Sequence, residues 1–162
     1  MRPAIIGMNN PTRAGDPLSP MADRNAGHRL WRMSGMALAD YEATFERINL
    51  LPSRRWLPWQ ARAAGRKLRR QLAGRSVVVL GRGVWQALGL DDVAWFASTT
   101  IGGTTFTLLP HPSGRNLIYN DAANREEVRR CLSQFLKPSP TSEPSTRSAT
   151  PSTAIPTFSS GR

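Results

Sequence analysis

Three short polar clusters in this chain carry side chains able to do chemistry. They are Gly7-Met8-Asn9-Asn10-Pro11, Asn49 within Arg47-Ile48-Asn49-Leu50-Leu51-Pro52, and His111-Pro112-Ser113-Gly114-Arg115-Asn116. An asparagine amide presents a donor and an acceptor together, so it can match a ligand edge that bears both. A histidine can donate a hydrogen bond to an oxygen on which negative charge develops. Each cluster taken singly also has an ordinary reading, because Asn-Pro and Pro-Ser-Gly are common turn chemistry and a lone histidine is more often structural. Their weight comes from where the elements place them jointly.

Pro3-Ala4-Ile5-Ile6-Gly7 reads as a buried strand ended by glycine and running into a loop. A second strand is expected at Arg47–Leu51, stopped by Pro52, and the clearest at Ser76–Leu80, where three valines and a leucine run together. Strand-like residues resume near Trp95–Thr99 and at Thr104–Leu109. Helical patterns lie between them: His28 to about Met36, Trp59–Ala73 with Gly74 in a C-terminal cap position, Val84–Leu88 after Gly81 and Gly83, and Asp121 to about Leu136. Strands alternating with helices imply a parallel sheet covered on both faces. Sites in such sheets lie beyond the carboxyl ends of the strands, where all three polar clusters fall. The loop from Met8 to about Gly27 contains Pro11, Pro17 and Pro20, and unstructured stretches of that length in compact domains are usually functional or mobile.

The 162 residues carry 22 Lys plus Arg against 11 Asp plus Glu, a formal net charge of +11. The length suits one domain, and a hydrophobic content of 40 % suffices for a core. One cysteine, Cys131, excludes an internal disulfide framework and a Cys-rich zinc site, and with only two histidines no structural metal site is expected. This composition fits a reducing, cytoplasmic setting. No apolar run approaches the roughly 18 residues of a membrane span, and the start lacks the pattern of a signal peptide, so no membrane partner is expected. Residues 137–162 hold 5 Pro, 7 Ser and 5 Thr and read as a disordered tail. The tail carries only +2 of the charge, which leaves +9 on residues 1–136. Such an excess points to a polyanionic partner.

In order and in strand context the clusters resemble the uracil-DNA glycosylase superfamily. Its members have a Gly-x-Asn/Asp-Pro motif after the first strand, an asparagine on the second, and a His/Asn-Pro-Ser-Pro/Gly motif after the last. Gly7-Met8-Asn9-Asn10-Pro11, Ile48-Asn49-Leu50-Leu51-Pro52 and Leu109-Pro110-His111-Pro112-Ser113-Gly114-Arg115-Asn116 match these. Val77-Val78-Val79-Leu80-Gly81 resembles the third-strand segment, and Asn25-Ala26-Gly27-His28-Arg29-Leu30-Trp31-Arg32 the helix start of the mismatch-specific branch. The likeness covers about residues 3–135 and is nearest in character to the mismatch-specific and single-strand-selective branches.

The resemblance implies an α/β fold, a three-layer sandwich around a short, mainly parallel four-stranded sheet, over residues 1–136. It implies a DNA glycosylase, prokaryotic or phage-encoded, that acts as a monomer without metal or organic cofactor. Such an enzyme hydrolyses the N-glycosidic bond of uracil or a related pyrimidine after flipping the nucleotide out of DNA, at a cost of a few kcal/mol. Asn9, counted from Gly7, or Asn10, counted from Pro11, would orient the attacking water, and Asn9 is preferred. His111 would donate to the pyrimidine O2 as the base departs. Gly7, Met8, Asn10, Asn49 and Trp31 would form the base pocket, Asn49 facing O4 and N3–H; Leu30 or Trp31 would stack on the base unless they are core. Ser113, Gly114, Arg115 and Asn116 would hold the DNA, Arg115 as the wedge.

Two departures matter. The water-orienting position is an aspartate in the most active branch, whereas here the first carboxylate beyond it is Asp16. Loss of a positioned general base forfeits roughly 10²–10⁴ in rate, so a slower or more selective enzyme is expected. The second motif joins the histidine of the uracil-specific branches to the Ser-Gly of the mismatch-specific one. The Trp59 helix carries Arg62, Arg66, Lys67, Arg69 and Arg70, with Arg75 beyond and Trp56 nearby; this is either a solvated face or a DNA contact. Two other functions stay open: a same-fold enzyme acting on modified bases in a phage or mobile-element pathway, and a non-catalytic module that binds damaged DNA.

Overall fold

The computed structural model describes residues 1–9, 18–21, 25–52 and 55–136. Asn10, Asp16 and the expected tail at 137–162 lie outside the described residues. In chain order the elements are β1 (Ala4–Asn9), α1 (Ala26–Ser34), α2 (Leu38–Thr44), β2 (Glu46–Leu51), α3 (Pro58–Gln71), β3 (Ser76–Leu80), α4 (Arg82–Ala87), β4 (Ser98–Ile101), β5 (Thr104–Leu109), a 3₁₀ turn (Leu117–Asn120) and α5 (Ala122–Ser133).

The strands form one mixed sheet of five in the order β2-β1-β3-β5-β4. β1 pairs in parallel with β2 and β3, and β3 with β5. The expectation of four strands is corrected by β4, which runs antiparallel to β5 at the edge. Gly102 and Gly103, at φ 57° and 76°, make the two-residue turn between them, a conformation glycine adopts without strain and whose twist matches the strands. Hydroxyl pairs tie the hairpin together, Ser98 to Thr107 at 2.7 Å and Thr100 to Thr105 at 3.0 Å. The strand begins later than Trp95 because Trp95 and Phe96 form a turn, with Phe96 at φ 67°.

Strand alternation divides the core in two. Ala4, Ile6, Val77, Val79, Phe106 and Leu108 pack with Ala61 of α3 and with Val84 and Trp85 of α4. Ile5, Val78, Leu80 and Leu109 pack with Leu30 of α1, Tyr41 of α2, and Val128 and Leu132 of α5. Helices therefore cover both faces, as burial of every strand backbone requires. Asn25 caps α1 by accepting the His28 N–H at 2.7 Å, and Asp121 caps α5 by accepting from Ala123 at 2.9 Å. Pro58 opens α3, where a missing N–H costs nothing. Among the described residues no helix is long and apolar enough to cross a membrane.

Candidate functional site at the carboxyl edge of the sheet

Glycine does not end β1. The strand continues through Gly7 and Met8 to Asn9, so Gly7 pairs with Asn49 and Asn9 with Leu51. Ile48 and Leu50 pack toward α3 and α4, and alternation turns Asn49 to the opposite face. There its Oδ1 is buried with no hydrogen-bond partner among the described residues. The lack of a side chain at Gly7 makes the room: a β-carbon would stand 3.0 Å from Asn49 Oδ1 and 2.8 Å from Leu18 Cδ2. Leu18 thus covers Gly7, held at a φ of 50° that non-glycine residues seldom adopt. The Leu18 segment is tied down by α1, since His28 Nδ1–H donates to the Pro20 carbonyl at 2.8 Å.

His111 follows β5 by two residues. Register aligns Gly7 with Asn49, Ile6 with Val79, and Leu80 with Leu109, so His111 leaves the same edge three strands from Asn49. Three strand spacings come to about 14 Å, too far for the two side chains to bond each other and enough to admit a small planar ligand between them. Gly81, at φ 90°, lies beneath the histidine, and a β-carbon there would come within 3.3 Å of His111 Cβ. Burial lowers the His111 pKa below its ordinary value of 6.5, so the imidazole is neutral at pH 7 and keeps one N–H to donate.

The loop after His111 is closed from within. The His111 carbonyl accepts from Ser113 N–H and from Asn116 Nδ2, both at 2.9 Å. Asn116 Oδ1 also accepts the Ile118 N–H at 3.2 Å, and the Tyr119 hydroxyl bonds the Pro110 carbonyl. Asn116 thus shapes the loop, whereas Gly114 and Arg115 face solvent. A β-carbon on Gly114 would lie 2.7 Å from Arg29 Nη1, so α1 delivers a guanidinium to this loop. Arg29 was not anticipated; its only sequence signal is its place in the Asn25–Arg32 segment.

Three other expected site residues pack against the core. Met8 packs with the α3/α4 core beside Trp56 and Gly83, on the face opposite Asn49. Leu30 is fully buried core. Trp31 packs against that core, donates its indole N–H to the Met36 carbonyl at 3.0 Å, and meets His28 edge-on. Among the described residues no cluster of three or more His, Cys, Asp or Glu could hold a metal.

Fold and site together define an α/β protein whose parallel strands direct toward one edge a neutral imidazole and an amide whose oxygen has no hydrogen-bond partner among the described residues. Comparison with known protein families and with curated proteins finds no match to this chain.

Proposed function

We propose that this chain is a DNA glycosylase of the uracil-DNA glycosylase superfamily that hydrolyses uracil or a related pyrimidine from DNA. The observation that carries the reading is the buried Oδ1 of Asn49, without a donor among the described residues, at the edge from which His111 also emerges. A pyrimidine N3–H supplies the donor that this oxygen lacks, and the amide nitrogen faces O4. His111 donates to O2, where negative charge grows as the C1′–N1 bond breaks. A neutral donor suits this step because it stabilises the departing anion without a buried cation.

Water completes the reaction: its oxygen bonds C1′, its proton passes to solvent, and the base leaves as an anion that is then protonated. Asn9 orients this water, with Asn10 as the other position the motif allows. Gly114, Arg115 and Arg29 supply the phosphate-facing end of the site, and the partner is DNA bound by a monomer. With no carboxylate at the water position, turnover is expected to be roughly 10²–10⁴ slower than with one.

Purified protein is incubated with oligonucleotides containing U·G, U·A or single-stranded uracil, then with alkali. Strand cleavage at the uracil is expected, and its loss in His111→Ala and Asn49→Ala. No cleavage on any of the three substrates overturns the uracil reaction. Tight binding of uracil-containing DNA without base release identifies a recognition module instead.

A further inference from the structure

Two basic helices in this protein treat their charges differently. On α5, Arg129 and Arg130 each bond a carboxylate one turn earlier, Glu126 at 2.6 Å and Glu127 at 2.9 Å. On α3, which contains no acidic residue, the side chains of Arg62, Arg66, Lys67 and Arg70 form no ion pair among the described residues. At about 100° per residue, Trp59, Arg66 and Arg70 fall on one line along the outer face, opposite the buried Ala61 and Gly65. Arg62 and Lys67 flank that line. From Trp59 to Arg70 it runs about 16 Å.

Beside the line a groove of ≈ 660 Å³ separates α3 from the β4–β5 turn; its walls include Arg66, Arg69, Arg70, Gly89, Ile101 and Gly102, and among the described residues no carboxylate. Arg69 is fixed on the wall by bonds to the carbonyls of Leu88 at 3.3 Å and Gly89 at 3.1 Å. At the other end of the line Trp59 is 68 % exposed. A cationic track with an exposed aromatic is the arrangement that holds single strands, charge following the backbone and the ring stacking on a base. A lipid surface would require a broad apolar face beside the cations, and the outer face of α3 offers one large apolar side chain, Trp59, with Ala63 between the arginines.

We propose that the outer face of α3 and its groove bind a single-stranded nucleic acid segment, with Arg66 and Arg70 on neighbouring phosphates, Arg69 lining the path and Trp59 stacked on a base. This surface uses neither Asn49 nor His111, so it stands or falls apart from the proposed reaction.

The test uses the full chain and a fluorescent adenine oligonucleotide of roughly 15 bases, which offers no pyrimidine to the other site. Its affinity is measured by anisotropy across a salt series. Removing two phosphate contacts in the Arg66→Gln/Arg70→Gln variant is expected to reduce the slope of log affinity against log salt by about 1.4. Trp59→Ala is expected to weaken binding about fivefold or more. The charge-matched Arg129→Gln/Arg130→Gln variant is expected to bind as the unaltered chain does. All three alter exposed side chains and should keep the parent circular dichroism. Equal losses in the two double variants would mean attraction by net charge alone and overturn the proposal. So would tighter binding to duplex, or binding confined to phosphatidylserine vesicles or an acidic peptide.

Discussion

A buried acceptor without a donor costs about 1–3 kcal/mol, and among the described residues two side chains carry such an atom, Asn49 through Oδ1 and Tyr41 through its hydroxyl. They differ in place: Tyr41 is enclosed in the core between sheet and helices, whereas Asn49 stands at the sheet edge. Tyr41→Phe is expected to raise unfolding free energy by about 1 kcal/mol and leave base release unchanged. Asn49→Leu, of similar shape, is expected to stabilise by a similar amount while abolishing base release, a stability gained at the expense of function. Chemical denaturation with a parallel glycosylase assay separates the two, and a stabilised, fully active Asn49→Leu would refute the role given to that amide. His111 adds a pH dependence. Its folded pKa is depressed by burial below 6.5, so between the two values the unfolded chain binds more protons and stability rises with pH. The contribution is complete above 6.5 and lost as pH falls. Thermal scans from about pH 7.5 to about pH 5.5 should show a steeper loss for the parent than for His111→Gln; parallel curves would mean the imidazole is not desolvated. Asn49, Gly7 and His111 were legible as residue types near strand ends. The empty donor position, the Leu18 cover and the Arg29 approach were not, because each depends on residues distant in the chain.

Among the elements, β3 and β5 match their sequence boundaries because both are short and rich in β-branched residues, three valines in one and three threonines in the other, which favours strand over buried helix. β1 exceeds its expected end because glycine is tolerated where β2 supplies paired backbone, and pairing is invisible in the local sequence. α2, seven residues long, was missed because so short a helix repeats its apolar face barely once. The contact between α3 and α4 reverses a propensity argument. Ala is better than Gly in a helix by about 1 kcal/mol, which alone would favour Gly65→Ala. In the fold, however, a β-carbon at Gly65 would overlap the Ala87 carbonyl of α4, and overpacking of that kind costs about 3 kcal/mol. Packing outweighs propensity, so Gly65→Ala is expected to lower stability by about 2 kcal/mol in urea unfolding; a stabilised variant would show that the helices can part without cost.

Over the whole molecule the charge excess of +11 sets two opposed salt effects. Exposed ion pairs such as Arg129–Glu126 and Arg130–Glu127 weaken with salt, but each contributes at most about 1 kcal/mol. Self-repulsion of the uncompensated cations is relieved by the same salt. Repulsion is expected to dominate, so Tm should rise between about 0.02 M and about 0.2 M sodium chloride, and a fall would show that the pairs outweigh it. The sequence alone determined the alternation of strands and helices, the excess of positive charge, and the residue types at the strand ends, because these follow from local periodicity and composition. Only the tertiary structure decided that β4 closes the sheet as an antiparallel edge, that Met8 turns away while Asn49 turns toward the α1 face, and that the amide oxygen lies buried against Gly7. These depend on register and on which strand lies beside which, and no stretch of sequence carries its neighbours' positions.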